Sequence, residues 1–280
     1  MKKIIILTLT VMTFGMANVL GQSKDVKRTE RNMKHLSGYV YVPKIDGEGG
    51  FYVSTSEITN LDYMEFVHHM KTEGGASAAQ QVMPDTSLWN EVPEIGATMA
   101  EYYYGHPGYH TFPVVCITHE QALAYCEWLE GVLNEHYAEG EVRITVTLPT
   151  EEEWKYVAMD GSESNTFPWT GNSLMNEEGK YRANFLAVNQ ANIVAADEQL
   201  IIAEDLQGEM MPVSVHDFDT GAFATSHMAG NVAEFVLEKG ITKGGSFADT
   251  GYYLKNNVLQ TYQDAGASVE HGFRVIVKVN

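Results

Sequence analysis

Leu148-Pro149-Thr150-Glu151-Glu152-Glu153-Trp154-Lys155-Tyr156 is the stretch around which the chain organises itself. Thr150 followed three residues later by Glu153 is a capping box. The threonine hydroxyl takes one orphan N–H of a new helix and the acid returns a bond to the cap. Pro149 stands just ahead, and three glutamates occupy the first turn, where the positive end of the helix dipole favours them. These acids read as helix starters rather than as catalytic carboxylates. Trp154, Val157 and Ala158 share one face, so the helix is short, amphipathic and turned to a core.

Upstream, residues 112–117 form an apolar run that predicts a short strand. Thr118 then caps a second helix with Gln121 closing its box, and Ala122, Tyr125, Cys126 and Leu129 supply the apolar stripe. Thr59-Asn60 offers a further cap for a helix through Met70, with Tyr63, Phe66 and Val67 facing inward. Residues 72–111 between them read as irregular, and His106 and His110, separated by Pro107-Gly108, read as loop histidines rather than a metal pair. Alternation over residues 38–43, a turn over 47–50 and Phe51-Tyr52-Val53 predict a hairpin. From about residue 160 onward, recurrent glycine, asparagine and aspartate predict loop-rich structure, with no tandem repeat. The pattern favours a single domain over residues 38–280.

The chain has 280 residues, 44% of them apolar, enough for a sizeable core. Eighteen basic residues against 37 acidic ones give a formal charge of -19, which repels phosphate backbones and anionic lipid and argues against nucleic acid as a partner. Lys2-Lys3 ahead of the apolar run over residues 4–16 predicts a signal peptide over residues 1–21, followed by a charged, mobile leader over residues 22–37. The expected location is outside the cytoplasm: periplasmic, associated with the outer membrane, or extracellular. Val19-Leu20-Gly21 is like the front of a lipoprotein signal, but Gln22 stands where the lipidated cysteine belongs, so no stable membrane anchor is expected. Cys116 and Cys126 are the two cysteines, read as buried free thiols.

Several segments in one order resemble the formylglycine-generating enzyme, or sulfatase-modifying factor, family. They are Glu57-Ile58-Thr59-Asn60 with Tyr63 and Phe66; residues 112–128, with His119 in place of a tryptophan; and the opening stretch, with Thr147 where arginine is usual. Pro168-Trp169-Thr170-Gly171-Asn172, Met228-Ala229-Gly230-Asn231-Val232-Ala233-Glu234-Phe235, Lys243-Gly244-Gly245-Ser246 and Gly272-Phe273-Arg274 follow. The resemblance spans residues 38–278 and implies a C-type-lectin-like α+β fold. Pro84-Asp85-Thr86, Trp89 and residues 103–109 are further similar to sulfatase-modifying-factor-like proteins of gliding motility and type IX secretion in Bacteroidetes, which are structural components of the envelope.

In that family two cysteines follow the Gly-Gly-Ser turn and bind copper(I), a soft ion suited to thiolates. Asp249 and Leu254 occupy those positions here, so no copper is expected and no catalytic residue is assigned. The resemblance also implies structural calcium, held by oxygen ligands. Asn184 and Asp205, with the carbonyls of Phe185 and Gln207, match one site; Glu234, with the carbonyls of Gly230 and Val232, matches a second, in which His227 replaces an asparagine or aspartate. Ser246, Asp249, Tyr252, Tyr253 and Asn256 are expected to border the former active groove, where tyrosine and asparagine suit adaptable recognition. Three functions stay open: a noncatalytic exported scaffold or binding protein with a protein partner in the envelope or at the cell surface, a formylglycine-generating oxidase with a displaced site, and a lectin-like ligand-binding module.

Overall fold

Each of the three amphipathic segments begins at a threonine that closes a capping box. In the computed structural model, which describes residues 24–34, 36–43, 50–161, 164–188, 206–207, 211–218, 221–264 and 266–280, Thr59 Oγ1 accepts from Asp62 N at 3.1 Å and Asp62 returns a bond to Thr59 N. Thr118 pairs with Gln121 and Thr150 with Glu153 in the same way. The resulting helices are α2 (Asn60–Val82), α4 (His119–Tyr137) and α5 (Glu151–Ala158), with α3 (Gly96–Tyr102) between the first two.

Four strands form an antiparallel sheet in the order β1 (Tyr39–Val42), β2 (Phe51–Ser54), β10 (Ile276–Val279), β3 (Ile144–Thr147). The sheet is buried on both faces, and the strand period of two sorts its residues between two cores. Tyr52, Val275 and Val277 face the cluster of Tyr63, Phe66, Tyr125 and Phe273 from the α2–α4 side, whereas Phe51, Val53 and Ile276 face Trp154 and Val157 of α5. Tyr63 and Tyr125 stack at 5.8 Å, and Phe66 and Phe273 meet Tyr125 edge-on. Such aromatic pairs add roughly 0.5–1.5 kcal/mol each beyond their buried area. The C-terminal strand β10 therefore lies at the centre of the sheet, with β2 and β3 on its flanks.

A second four-stranded sheet runs β8 (Leu259–Thr261), β7 (Ile241–Lys243), β6 (Ala233–Phe235), β9 (His271–Phe273), with β6 and β9 parallel. A short pair, β4 (Ala187–Val188) with β5 (Leu206–Gln207), lies apart from it. The molecule is a mixed α+β single domain, with no closed barrel among the described residues, and is loop-rich after α5 as its glycine and asparagine content implies.

Three expectations change. Residues 72–111 are largely helical: α2 continues to Val82 past a kink at Gly75 (φ 78°), because Ala79 and Val82 reach the core, and short 3-10 turns at Thr86–Glu91 and Pro107–Tyr109 flank α3. Residues 112–117 do not form a regular strand. Cys116 sits at φ 61°, and the segment divides its bonds between Ile58 and Ser268, leaving one bridge at Pro113. Residues 24–33 form a helix, α1, where a mobile leader was expected; Thr29 and Met33 are buried, and Met33 joins the main core. The expected signal peptide and Asp205 lie outside the described residues.

Candidate functional site

Strand β7 ends at Lys243 and runs into Gly244 (φ 89°) and Gly245 (φ 70°), both in the left-handed region that glycine tolerates. The turn is also crowded. A side chain at Gly244 would meet the Trp154 ring at 3.2 Å, and one at Gly245 would meet Leu254 at 3.1 Å. These glycines therefore permit the close approach that carries Ser246 into the interior.

Ser246 is fully buried, and its hydroxyl lies 2.8 Å from Asp249 Oδ2 and 3.0 Å from Glu270 Oε2 while accepting from Ala248 N. A hydroxyl has one proton, so two carboxylates compete for a single donor and neither can act as a dedicated base for it. Asp249 is further committed: Oδ2 accepts from Ser246 N at 2.7 Å and Oδ1 from Gln260 Nε2 at 2.7 Å. At the position of the first family cysteine there is thus a carboxylate that closes a turn. Leu254, at the second, is fully buried against Phe167, Ala183, Phe185 and Ala229.

The remaining groove candidates divide. Tyr252 and Tyr253 are on the surface, at 58% and 36% exposure, in edge contact at 5.3 Å, with Lys255 Nζ 4.8 Å from the Tyr252 ring. Asn256 leaves the expected surface. It is buried, its amide donates to the Asn165 carbonyl, and its own carbonyl accepts from the Lys243 ammonium at 2.9 Å. Lys243 is itself inside, with a second bond to the Val258 carbonyl and its ammonium 5.5 Å from the Trp154 ring centre. Glu270 and Gln260 were missed by sequence reasoning, since their contacts depend on how β8 and the approach to β9 fold back on the turn.

Neither thiol can stand in for the missing pair. Cys116 packs with Trp89 and Tyr103, and Cys126 lies on α4 in the main core. Both are free and buried, and burial pushes both pKa values well above the usual thiol range, which suppresses the reactive thiolate.

Beneath the turn lies a buried polar network. Arg274 donates from Nε to Glu234 Oε2 at 2.6 Å and from an Nη to Oε1 at 2.5 Å, and Trp154 Nε1 donates to Oε2 at 2.7 Å. Asn231 (φ 66°) donates to Glu57 Oε1 at 3.0 Å. Burial first, then the charge of Glu234, pushes the Glu57 carboxyl up to about 8 against the opposing pull of Arg274 and Asn231. Glu57 therefore keeps its proton at neutral pH.

Both oxygens of Glu234, expected to serve the second calcium site, are matched here to a guanidinium and an indole N–H. His227, expected beside it, is buried at φ 53°, and burial and then the Arg274 charge push its pKa down to about 4. At the first expected site, the Asn184 amide donates to the Met211 carbonyl, and the Asn184 carbonyl accepts from Asn231 N. Gln207 lies in β5, paired with Ala187, and Phe185 packs beside Leu254. Among the described residues no group of three or more histidine, cysteine or acidic side chains is placed to hold a metal ion.

Comparison with known proteins accords with this geometry. The sequence model of the sulfatase-modifying factor enzyme 1-like domain matches residues 42–279. The inactive C-alpha-formylglycine-generating enzyme 2 of Mus musculus is 26% identical over 173 residues, covering 50% of this chain and 49% of its own length. The chain thus aligns with about half of that relative. Among solved structures, Treponema denticola variable protein 1 superposes with a TM-score of 0.51 at 16% identity, over 82% of this chain and 84% of its own. PvdO from Pseudomonas aeruginosa superposes with a TM-score of 0.50 at 15% identity, over 86% and 90%. At such identities these two show a shared fold. With the family model matched over most of its length and the motif positions assembled around one turn, the chain belongs to the sulfatase-modifying factor enzyme 1-like domain family.

Proposed function

We propose that this protein is a noncatalytic, exported member of the family that acts as a structural or binding component of the cell envelope, engaging a protein partner in secretion or gliding. One observation carries the noncatalytic part. The two positions that would bear copper-binding thiols hold a turn-closing carboxylate, Asp249, and a fully buried core residue, Leu254. Cysteine oxidation needs a thiolate pair open to metal, oxygen and peptide, and the two thiols of this chain are enclosed elsewhere. The likeness to an inactive mouse relative supports the same reading. The exposed pair Tyr252–Tyr253 supports a binding role, since tyrosine gives contact area with little entropy to lose.

The test is direct. Purified protein incubated with copper(I), oxygen and a cysteine-bearing sulfatase peptide should leave the peptide mass unchanged. Conversion of its cysteine to formylglycine would restore the oxidase reading with a displaced site.

A further inference from the structure

A cavity of about 80 Å³ lies beside the segment that precedes β6, lined by Trp169, Asn176, Tyr181, Arg182, Phe218 and His227 among others. At roughly 10–15 Å³ per water position, it has room for a ligand of a few heavy atoms. It does not include Ser246, Asp249 or Leu254, so it is separate from the former catalytic turn.

His227 is only 5% exposed, and neither ring nitrogen makes a hydrogen bond of good geometry, although the Ser214 backbone lies near enough to favour the charged ring slightly. A buried polar group left unpaired costs about 1–3 kcal/mol. With the Ser214 backbone beside the ring, the neutral imidazole can present its other nitrogen at the wall of the cavity. The edge contact with Phe218, at 5.4 Å and 76°, fixes the ring plane.

Arg182 faces the same space with its guanidinium carbon 6.0 Å from the Trp169 ring centre. Trp169 is a prepared platform: its indole N–H is tied to the Ser173 carbonyl, and its ring stacks on Phe167 at 5.2 Å and 6°. Arg182 spends Nε on the Met175 carbonyl, and its two terminal nitrogens make no hydrogen bond among the described residues. Asn176 Oδ1 is taken by the N–H groups of Glu178 and Lys180, which leaves its amide nitrogen as a donor. Among the described residues, no aspartate or glutamate lines this cavity. The Arg182 terminal nitrogens and the Asn176 amide are thus donors with no acceptor among the described residues.

We propose that the cavity binds a small organic carboxylate, with the carboxylate on the Arg182 guanidinium and the Asn176 amide and a polar substituent meeting His227. The flat, two-pronged guanidinium matches a carboxylate in geometry as well as charge. This inference goes beyond the noncatalytic reading and does not rest on it.

Calorimetry and saturation-transfer NMR on the full protein, with acetate, lactate and pyruvate as probes, test it. At least one probe should bind with a millimolar or tighter dissociation constant and shift the His227 ring resonances. Arg182→Gln should weaken that binding about tenfold or more, with only a small change in thermal unfolding because Arg182 is half-buried and its one side-chain hydrogen bond, to the Met175 carbonyl, is long at 3.4 Å. No binding by any probe at tens of millimolar would overturn the proposal, and so would equal binding by Arg182→Gln. A short peptide with a free C-terminus is the control source of the same chemistry. Binding of that peptide, abolished by C-terminal amidation, in the absence of binding by the three acids would also overturn it.

Discussion

The network around Glu234 and the segment over residues 246–254 leave neighbouring strands of one sheet, where Glu234 pairs with Lys243, yet they are filled on opposite principles. The network joins charged and polar groups that have no place in a core unless each is matched: Glu57, Asn231, Glu234 and Arg274, fully buried around the Trp154 indole. The segment replaces groups that would serve chemistry with groups that serve packing. The difference shows which parts of the architecture depend on fixed polar partners and which can be rewritten while the turn persists. Gly244 and Gly245 are demanded by backbone conformation and by Trp154 and Leu254 pressing against them, whatever Ser246 does afterwards.

The sharpest way to break the comparison is Arg274→Met. It strands Glu234 without a counter-charge, and removal of one member of a buried pair costs about 3–5 kcal/mol. Urea unfolding should register a loss of that size, while Arg274→Met combined with Glu234→Leu should recover much of it. A loss below about 1 kcal/mol for the single variant would mean that the network is not the organising centre.

Glu57 gives the comparison a pH signature. Its folded pKa of about 8 lies above the ordinary 4.5, so the folded state holds a proton that the unfolded chain has released. Its contribution is whole below about pH 4.5 and declines as pH rises through the folded value, at up to roughly 1.4 kcal/mol per pH unit within that window. Glu57→Gln keeps the acceptor for Asn231 and removes the proton. The stability difference between variant and wild type should therefore grow from pH 5 to pH 8 in the variant's favour, and a difference constant with pH would count against a buried neutral carboxyl.

The smallest effect belongs to the surface. Tyr252→Ala removes an exposed ring whose contacts are Tyr253 and Lys255, and stability should change by no more than about 0.5 kcal/mol. A larger loss would make that tyrosine part of the fold rather than a recognition surface.

Legibility in the sequence followed the range of the interaction. The capping boxes at Thr118 and Thr150 were readable because donor and acceptor are three residues apart, and the stripe of Ala122, Tyr125 and Cys126 is buried as its spacing implies. The motif order over residues 38–278 likewise marked the family and its fold. The helix from Asn60 was read only through Met70, but burial of Ala79 and Val82 draws α2 onward past the kink at Gly75. Thr29 and Met33 sit in a charged stretch with no apolar period, and only the docking of α1 reveals their place. At the site, the absence of the two cysteines was legible, whereas the roles of Glu270, Gln260 and Arg274 were not. Those contacts span 24, 11 and 40 residues, and no local pattern encodes them. His227 was read as a poor calcium ligand; only the assembled structure shows a neutral ring at a cavity wall.

The central claim is that the positions of the family thiols now carry structure. Equilibrium urea unfolding of the Asp249→Cys, Leu254→Cys double variant tests it most directly. Loss of the Ser246 and Gln260 bonds, together with a void beside Phe167 and Phe185, should lower stability by about 3–5 kcal/mol. A double variant within about 0.5 kcal/mol of the wild type would contradict the account.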